Sequence, residues 1–173
     1  MIEERGGACR PSRSPGGSIV AARFREIHAL VVAIARRLDW VPPLAARIAV
    51  GLVFVTAGWG KLQNLGQVVE FFRSLGIPAP ELQAPFVASV ELVGGLLLLL
   101  GLGTRFVAVP LAVTMVVAIA TALWPDLEGA IDLLGKSELL YIVIFAWLAI
   151  AGAGAVSLDA LAARALGRGR ERP

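Results

Sequence analysis

The sequence predicts an all-α integral membrane protein, a four-helix transmembrane bundle preceded by an N-terminal amphipathic interfacial helix. Hydrophobic residues make up 57% of the 173 residues and charged residues only 17%, whereas a soluble domain has about half and about a quarter. The mean hydropathy is +0.77. The apolar residues fall into four blocks, each close to the ~20 residues that a transmembrane helix needs.

The N-terminal region divides into two parts. Residues 1–18 are rich in Arg, Gly, Pro and Ser, which predicts a disordered basic tail; an overextended gene start would explain them equally well. In residues 19–40 apolar side chains recur at three- and four-residue steps among basic ones, as in an amphipathic helix on the membrane surface. The alternative is a cytosolic helix packed against a partner protein.

A four-span transmembrane domain is predicted for residues 44–159, with spans at 44–62, 85–102, 106–124 and about 138–156. The first connection contains a short amphipathic helix, expected to fold back over the mouth of the bundle. A very short turn joins spans two and three into a tight antiparallel hairpin. After span four, Asp159 is expected to cap a last short helix, and residues 160–173 form a basic cytoplasmic tail.

The basic residues predict the orientation of the bundle. Of the 16 Lys and Arg residues, 13 lie on the side of the two termini and of the turn between spans two and three, and 3 lie on the other side. The positive-inside rule therefore places both termini of this multi-pass membrane protein in the cytoplasm.

Cysteine and histidine usage limits the chemistry. Cys9 and His28 are the one Cys and the one His, and no C-x-x-C motif or histidine pair is present. The chain alone therefore offers no evident haem, iron–sulfur, zinc or dithiol centre. We expect no metal site and no covalent cofactor, so that electron chemistry would need a partner or a diffusible cofactor.

Several short motifs, in order along the chain, resemble those of the DoxX family. They are GWGKL at 58–62, FF at 71–72, LGIPAP at 75–80, ELVGG at 91–95, GLGTR at 101–105 and GAGAVSLD at 152–159. The resemblance implies a small four-span bacterial inner-membrane protein. It also implies a link to oxidoreductase complexes, because the name-giving member is the small subunit of a thiosulfate:quinone oxidoreductase.

An ionisable residue at membrane depth marks a functional or pairing site, and Glu91 lies inside the second apolar block. One interpretation is a proton-accepting or quinone-binding carboxylate. The other, compatible with it, is a structural ion pair with Lys61 at the end of span one. Counted from Pro85, Glu91 lies roughly 9 Å below the outer end of span two. Arg47, near the start of span one, is expected to snorkel to the interface.

Two more residues are candidates for the same site. Glu138 begins span four on the same side as Lys61, as an exposed helix-start carboxylate favoured by the helix dipole or as a member of the site. Phe72, next to Phe71, is an interface anchor or lines the path of a quinone ring. The quinone or proton site that we predict thus comprises Glu91, Lys61, Glu138 and Phe72.

With the resemblance, these residues predict a membrane subunit of a quinone- or thiol-linked oxidoreductase complex, with quinone as the candidate cofactor. Its expected partners are the lipid bilayer and a cofactor-bearing oxidoreductase subunit, without nucleic acid, and a homo-oligomer is left open. The alternative is a non-enzymatic membrane protein that handles small solutes or lipids, or an assembly factor. In neither case do we expect a complete catalytic centre on this chain alone.

Overall fold

The computed structural model describes residues 15–127, 129–165 and 167. A first unit contains helix α1, Pro15–Arg37, and a second unit begins at Trp40. Pro15 opens α1, so the helix starts four residues before the predicted start, with proline in a position that helices favour. The rest of the predicted disordered tail lies outside the described residues. That α1 lies on a membrane surface stays a prediction.

The second unit is built from helices, and the all-α prediction is confirmed for the described residues, which contain no strand. Three of its helices are long and apolar enough to cross a membrane, and one shorter apolar helix follows them. The helices are α2 Val41–Gln63, α3 Leu65–Ser74, α4 Pro80–Leu100, α5 Thr104–Ala118, α6 Ala130–Leu134, α7 Ser137–Ala151 and α8 Leu158–Ala165.

Two predicted span boundaries were wrong. Helix α4 begins at Pro80 and contains Pro85, because Pro80 takes the favoured first helical position after Ala79, which adopts a left-handed conformation with φ 48°. Helix α7 ends at Ala151 rather than near residue 156, where Gly152 with φ 83° breaks the helix. Its 15 residues measure about 22 Å, less than the ~30 Å hydrocarbon thickness.

Glycines let α2 and α4 approach closely. A Cβ atom at Gly58 would lie 2.5 Å from the Leu92 backbone nitrogen, and one at Gly95 would lie 2.7 Å from the Val55 backbone nitrogen. A Cβ at Gly60 would meet nothing within 4 Å. Gly58 therefore makes the close contact typical of membrane helix pairs, and Gly60, two residues further along the same helix, does not.

The core of the bundle lies between these helices and the α5–α7 pair. Phe54 of α2 packs edge-on against Tyr141 and Phe145 of α7, with ring centroids 5.5 and 5.0 Å apart. This is the favoured geometry for aromatic pairs. Leu111 of α5 and Leu98 of α4 belong to the same buried cluster. The side chains that face away from it are largely apolar and exposed, as expected for a surface in contact with lipid.

The end of the bundle at which α4 turns into α5, here called the turn end, contains a buried arginine. Arg47 is 1% exposed, so the prediction that it snorkels to the interface was wrong. Its Nη2 donates to the carbonyl of Val156 at 2.5 Å. Because α7 ends early, the chain after it is non-helical, and at membrane depth such backbone needs partners within the protein. Arg47 supplies one of them.

The segment after α7 is fastened to the same turn. The Gly103 N–H donates to Asp159 Oδ1 at 3.0 Å, and the Asp159 N–H donates to the Gly101 carbonyl. Ser157 Oγ accepts from the Ala160 N–H at 3.1 Å, so Ser157 caps α8 as Ser commonly does. The predicted cap, Asp159, instead holds the turn between α4 and α5.

Two glycines of this turn offer a matched test of the arginine contact. Gly101 and Gly103 both have positive φ, but a Cβ at Gly101 would lie 1.8 Å from Arg47 Nη1, whereas one at Gly103 would meet nothing within 4 Å. We expect Gly103→Ala to cost about 1–2 kcal/mol from backbone strain. Gly101→Ala should cost about 1 kcal/mol more from overpacking. Unfolding in detergent measures both, and equal losses would contradict the buried contact.

Candidate functional site

The ion pair that the sequence predicted is present at the opposite end of the bundle, where α2 passes into α3 (the α3 end). Lys61 Nζ lies 2.5 Å from both carboxylate oxygens of Glu91. The Glu91 side chain is 1% exposed and that of Lys61 is 33% exposed. The close approach of α2 and α4 at Gly58, one helical turn before Lys61, brings the ammonium group to Glu91.

Glu91 lies further from the start of its helix than the count from Pro85 gives. Helix α4 begins at Pro80, eleven residues before Glu91, which places the residue about 16 Å from the start of the helix rather than roughly 9 Å. Lys61 lies two residues from the end of α2. The carboxylate is therefore central in its helix, and the lysine reaches it from the α3 end.

A cavity of about 500 Å³ adjoins this ion pair. It brings together all four predicted site residues: Lys61, Glu91, Phe72 and Glu138. The other lining residues come mainly from α3, α4 and α5 and are mostly apolar: Gln67, Val68, Phe71, Leu75, Ile77, Gln83, Phe86, Val87, Val113, Thr114, Met115, Val117, Ala118, Thr121 and Ala122. An apolar cavity with few polar groups is typical of small-molecule sites.

Helix α3 forms one wall of the cavity and has no buried residue of its own. Arg73 fastens it by ion pairs with Glu70 in α3 and with Glu81 in the first turn of α4, the latter at 2.5 Å. The hydrogen bond with Glu70 is the largest cause that raises the pKa of Arg73, and the hydrogen bond with Glu81 is the next largest. Both pairs are exposed, so they contribute little to stability. These ion pairs therefore hold the wall only weakly.

The opposite wall includes a break in the α-helical pattern. Helix α5 continues as a π-helical turn over Ile119–Leu123 and a 3₁₀ turn over Trp124–Asp126. Pro125 lacks the N–H that would bond to the Thr121 carbonyl, so a regular α-helix cannot continue through it. Thr121 and Ala122 of the π turn line the cavity. Such turns occur often at functional sites.

The polar lining groups differ in what they can offer a ligand. Lys61 has three N–H donors, and its bonds to the two Glu91 oxygens leave at least one of them for a ligand. Glu138 is half-buried, and its Oε2 is bonded to the Ser137 hydroxyl at 3.2 Å. The hydroxyls of Thr114 and Thr121 donate to carbonyls of their own helix. Lys61 and Glu138 are therefore the strongest recognition groups.

The sequence contained a signal for only part of this lining. Gln67, Phe71 and Leu75 recur at four-residue steps, which predicts one face of α3, and the structure places that face on the cavity. The π turn had no such signal. In the described part of the chain, no three His, Cys, Asp or Glu residues are grouped to hold a metal ion.

Comparison of the sequence with known proteins assigns this chain to a family. A profile of the DoxX family matches residues 43–124. The "Putative oxidoreductase CatD" of Bacillus subtilis strain 168 is 32% identical over 118 residues, which cover 67% of this chain and 83% of that protein. The chain belongs to the DoxX family. The DoxX match includes Lys61, Phe72 and Glu91. Glu138 lies beyond it, and so does the segment after α7, whose Val156 carbonyl accepts a hydrogen bond from Arg47.

Other DoxX-like relatives are named as inner membrane proteins. The "Inner membrane protein YqjF" of Escherichia coli K12 is 32% identical over 126 residues, covering 73% of this chain and 95% of the relative. The "Inner membrane protein YphA" of the same organism is 35% identical over 127 residues, covering 67% and 86%. No solved structure matches this DoxX chain significantly.

Proposed function

We propose that this DoxX protein is the membrane subunit of a quinone- or thiol-linked oxidoreductase complex. In this role it anchors a cofactor-bearing partner and holds a quinone in the cavity at the α3 end. The observation that carries the proposal is the juxtaposition of the Lys61–Glu91 pair with an apolar, phenylalanine-lined cavity. The name of the Bacillus subtilis relative, a putative oxidoreductase, supports it.

The lining offers the groups that a quinone requires. The remaining N–H of Lys61 would donate to a quinone carbonyl, and the phenylalanine side chains would pack against the ring. A bound quinone would accept two electrons from the partner's cofactor and two protons to become the quinol. Glu138, which lines the cavity and is only half-buried, would exchange protons with water.

The orientation of the bundle belongs to the same proposal. The 13-to-3 distribution of basic residues favours cytoplasmic termini and hence a cavity on the outer side of the inner membrane. Cysteine placed at Gln67 or Gly129, both exposed, should react with an impermeant thiol reagent in intact cells, whereas Cys9 should react only after lysis. Reaction of Cys9 in sealed cells would show that the orientation is the reverse of the one proposed.

Affinity purification tests the complex. We expect the tagged chain, purified in mild detergent, to bring down a cofactor-bearing protein identified by mass spectrometry, together with extractable quinone. The Lys61→Met/Glu91→Gln double variant should retain the partner and lose the quinone, since it removes the donor and leaves the net charge of the bundle unchanged. Purification of the chain with neither partner nor quinone would contradict the proposal and favour a non-enzymatic role.

A further inference from the structure

The charges that line the cavity do not balance. Lys61 is neutralised by Glu91, whose two oxygens both contact its ammonium group. Glu138 has no basic partner within 4.0 Å among the described residues, and Ser137 supplies its one side-chain hydrogen bond. Lys61, Glu91 and Glu138 are the charged residues among the described lining, and with both carboxylates ionised they sum to one negative charge, located at Glu138.

Aromatic rings form much of the apolar wall of the same cavity. Phe71 and Phe72 of α3 and Phe86 of α4 all line it, and the centroids of the first two rings lie 6.4 Å apart. The face of an aromatic ring attracts a cation through its quadrupole, and the attraction increases when water is excluded. Aromatic rings combined with a carboxylate that lacks a basic partner are the recognition chemistry of an organic cation.

We propose that this cavity binds a lipophilic organic cation, such as a quaternary ammonium or phosphonium compound, with Glu138 as its counter-charge. The volume of about 500 Å³ is in the range of small-molecule sites. The phenylalanine rings accommodate the apolar groups of the ligand. An anion of the same size is rejected, because Glu138 repels it and Lys61, the basic residue of the described lining, is already paired with Glu91. The inference shares its cavity with the proposed function but requires neither electron transfer nor a partner.

Tetraphenylphosphonium and tetraphenylborate provide the test, since they have nearly the same size and shape and opposite charges. Equilibrium dialysis against the purified full chain in a non-ionic detergent, corrected for partition into empty micelles, should show saturable binding of the cation and none of the anion. Glu138→Gln should weaken binding of the cation by about tenfold or more, because the counter-charge is lost at close range.

Two further variants keep the test independent of folding. Glu81→Gln removes an exposed carboxylate that already pairs with Arg73 and should leave cation binding unchanged. Phe72→Leu keeps an apolar side chain but removes a ring face, and should weaken cation binding severalfold. Circular dichroism should show the same helix content for each variant as for the unmodified chain.

The outcomes separate this inference from the proposed function. Equal binding of the two ions, or cation binding that Glu138→Gln leaves intact, would overturn the cation site. If the chain co-purifies with quinone and, after the quinone has been extracted, fails to bind the phosphonium, this inference alone would be refuted. Binding of the phosphonium to a chain with neither quinone nor partner would support the cation site and refute the proposed function.

Discussion

Neutralising one member of the Lys61–Glu91 pair should destabilise the bundle by about 3–5 kcal/mol. Glu91 is buried, so Lys61→Met leaves a carboxylate without its counter-ion where little water can reach it. Glu91→Gln leaves the ammonium group without its counter-ion, and its cost should be smaller, because Lys61 is one third exposed and can turn towards water. The free energy of unfolding, from titration with a denaturing detergent, measures both losses.

The double variant decides whether the two residues act as a unit. With both charges removed no uncompensated charge is left, so Lys61→Met/Glu91→Gln should recover much of the loss. The matched control is the Arg73–Glu81 pair, whose side chains are 50% and 62% exposed, and Glu81→Gln should cost less than about 1 kcal/mol. Additive losses in the Lys61–Glu91 cycle would show that the contact has no energetic coupling.

Gly58→Ala should have an effect at the upper end of the range for overpacked sites, about 3 kcal/mol. Three atoms within 2.9 Å of the added methyl group belong to the backbone of α4, at Ala88 and Leu92. Backbone atoms cannot rotate away as a side chain can, so α2 and α4 must separate. The separation would also lengthen the Lys61–Glu91 contact one turn away.

Gly60→Ala is the matched control for this variant, because it adds the same methyl group two residues further along the same helix and meets nothing within 4 Å. Alanine is the better helix former by about 1 kcal/mol, so Gly60→Ala should be neutral or stabilising. Opposite signs for the two variants in the same unfolding assay are the expected result. A harmless Gly58→Ala would mean that α2 and α4 are further apart than described.

The sequence alone was sufficient for the long helices and for the Lys61–Glu91 contact. Within a bilayer every backbone polar group needs an internal partner, so an apolar block of about 20 residues is constrained to be a helix. A carboxylate inside such a block needs a partner. Lys61 ends the preceding block, and antiparallel connection of the two helices brings it to the same side. These are constraints along the chain, and they can be read from composition and order.

Local breaks in the helices were less predictable. The sequence predicted a helix start at Pro85. The helix instead starts at Pro80, which occupies the favourable first position because Ala79 before it adopts a left-handed conformation. The early end of α7 at Ala151 depends on Gly152, one of several glycines in that stretch. Nothing in the order of residues said which proline would open a helix or which glycine would close one.

Only the tertiary structure decided where the Arg47 side chain lies, because an arginine near the start of a span can extend to the interface or turn into the bundle. It turned inward since the shortened α7 left the Val156 carbonyl to be bonded and Gly101 left room for the guanidinium group. The cavity has the same origin, because Phe72, Glu91 and Glu138 come from three different helices, α3, α4 and α7. The physical reason is that burial in the bilayer acts on each segment separately, whereas lateral contacts depend on the shapes of several segments at once.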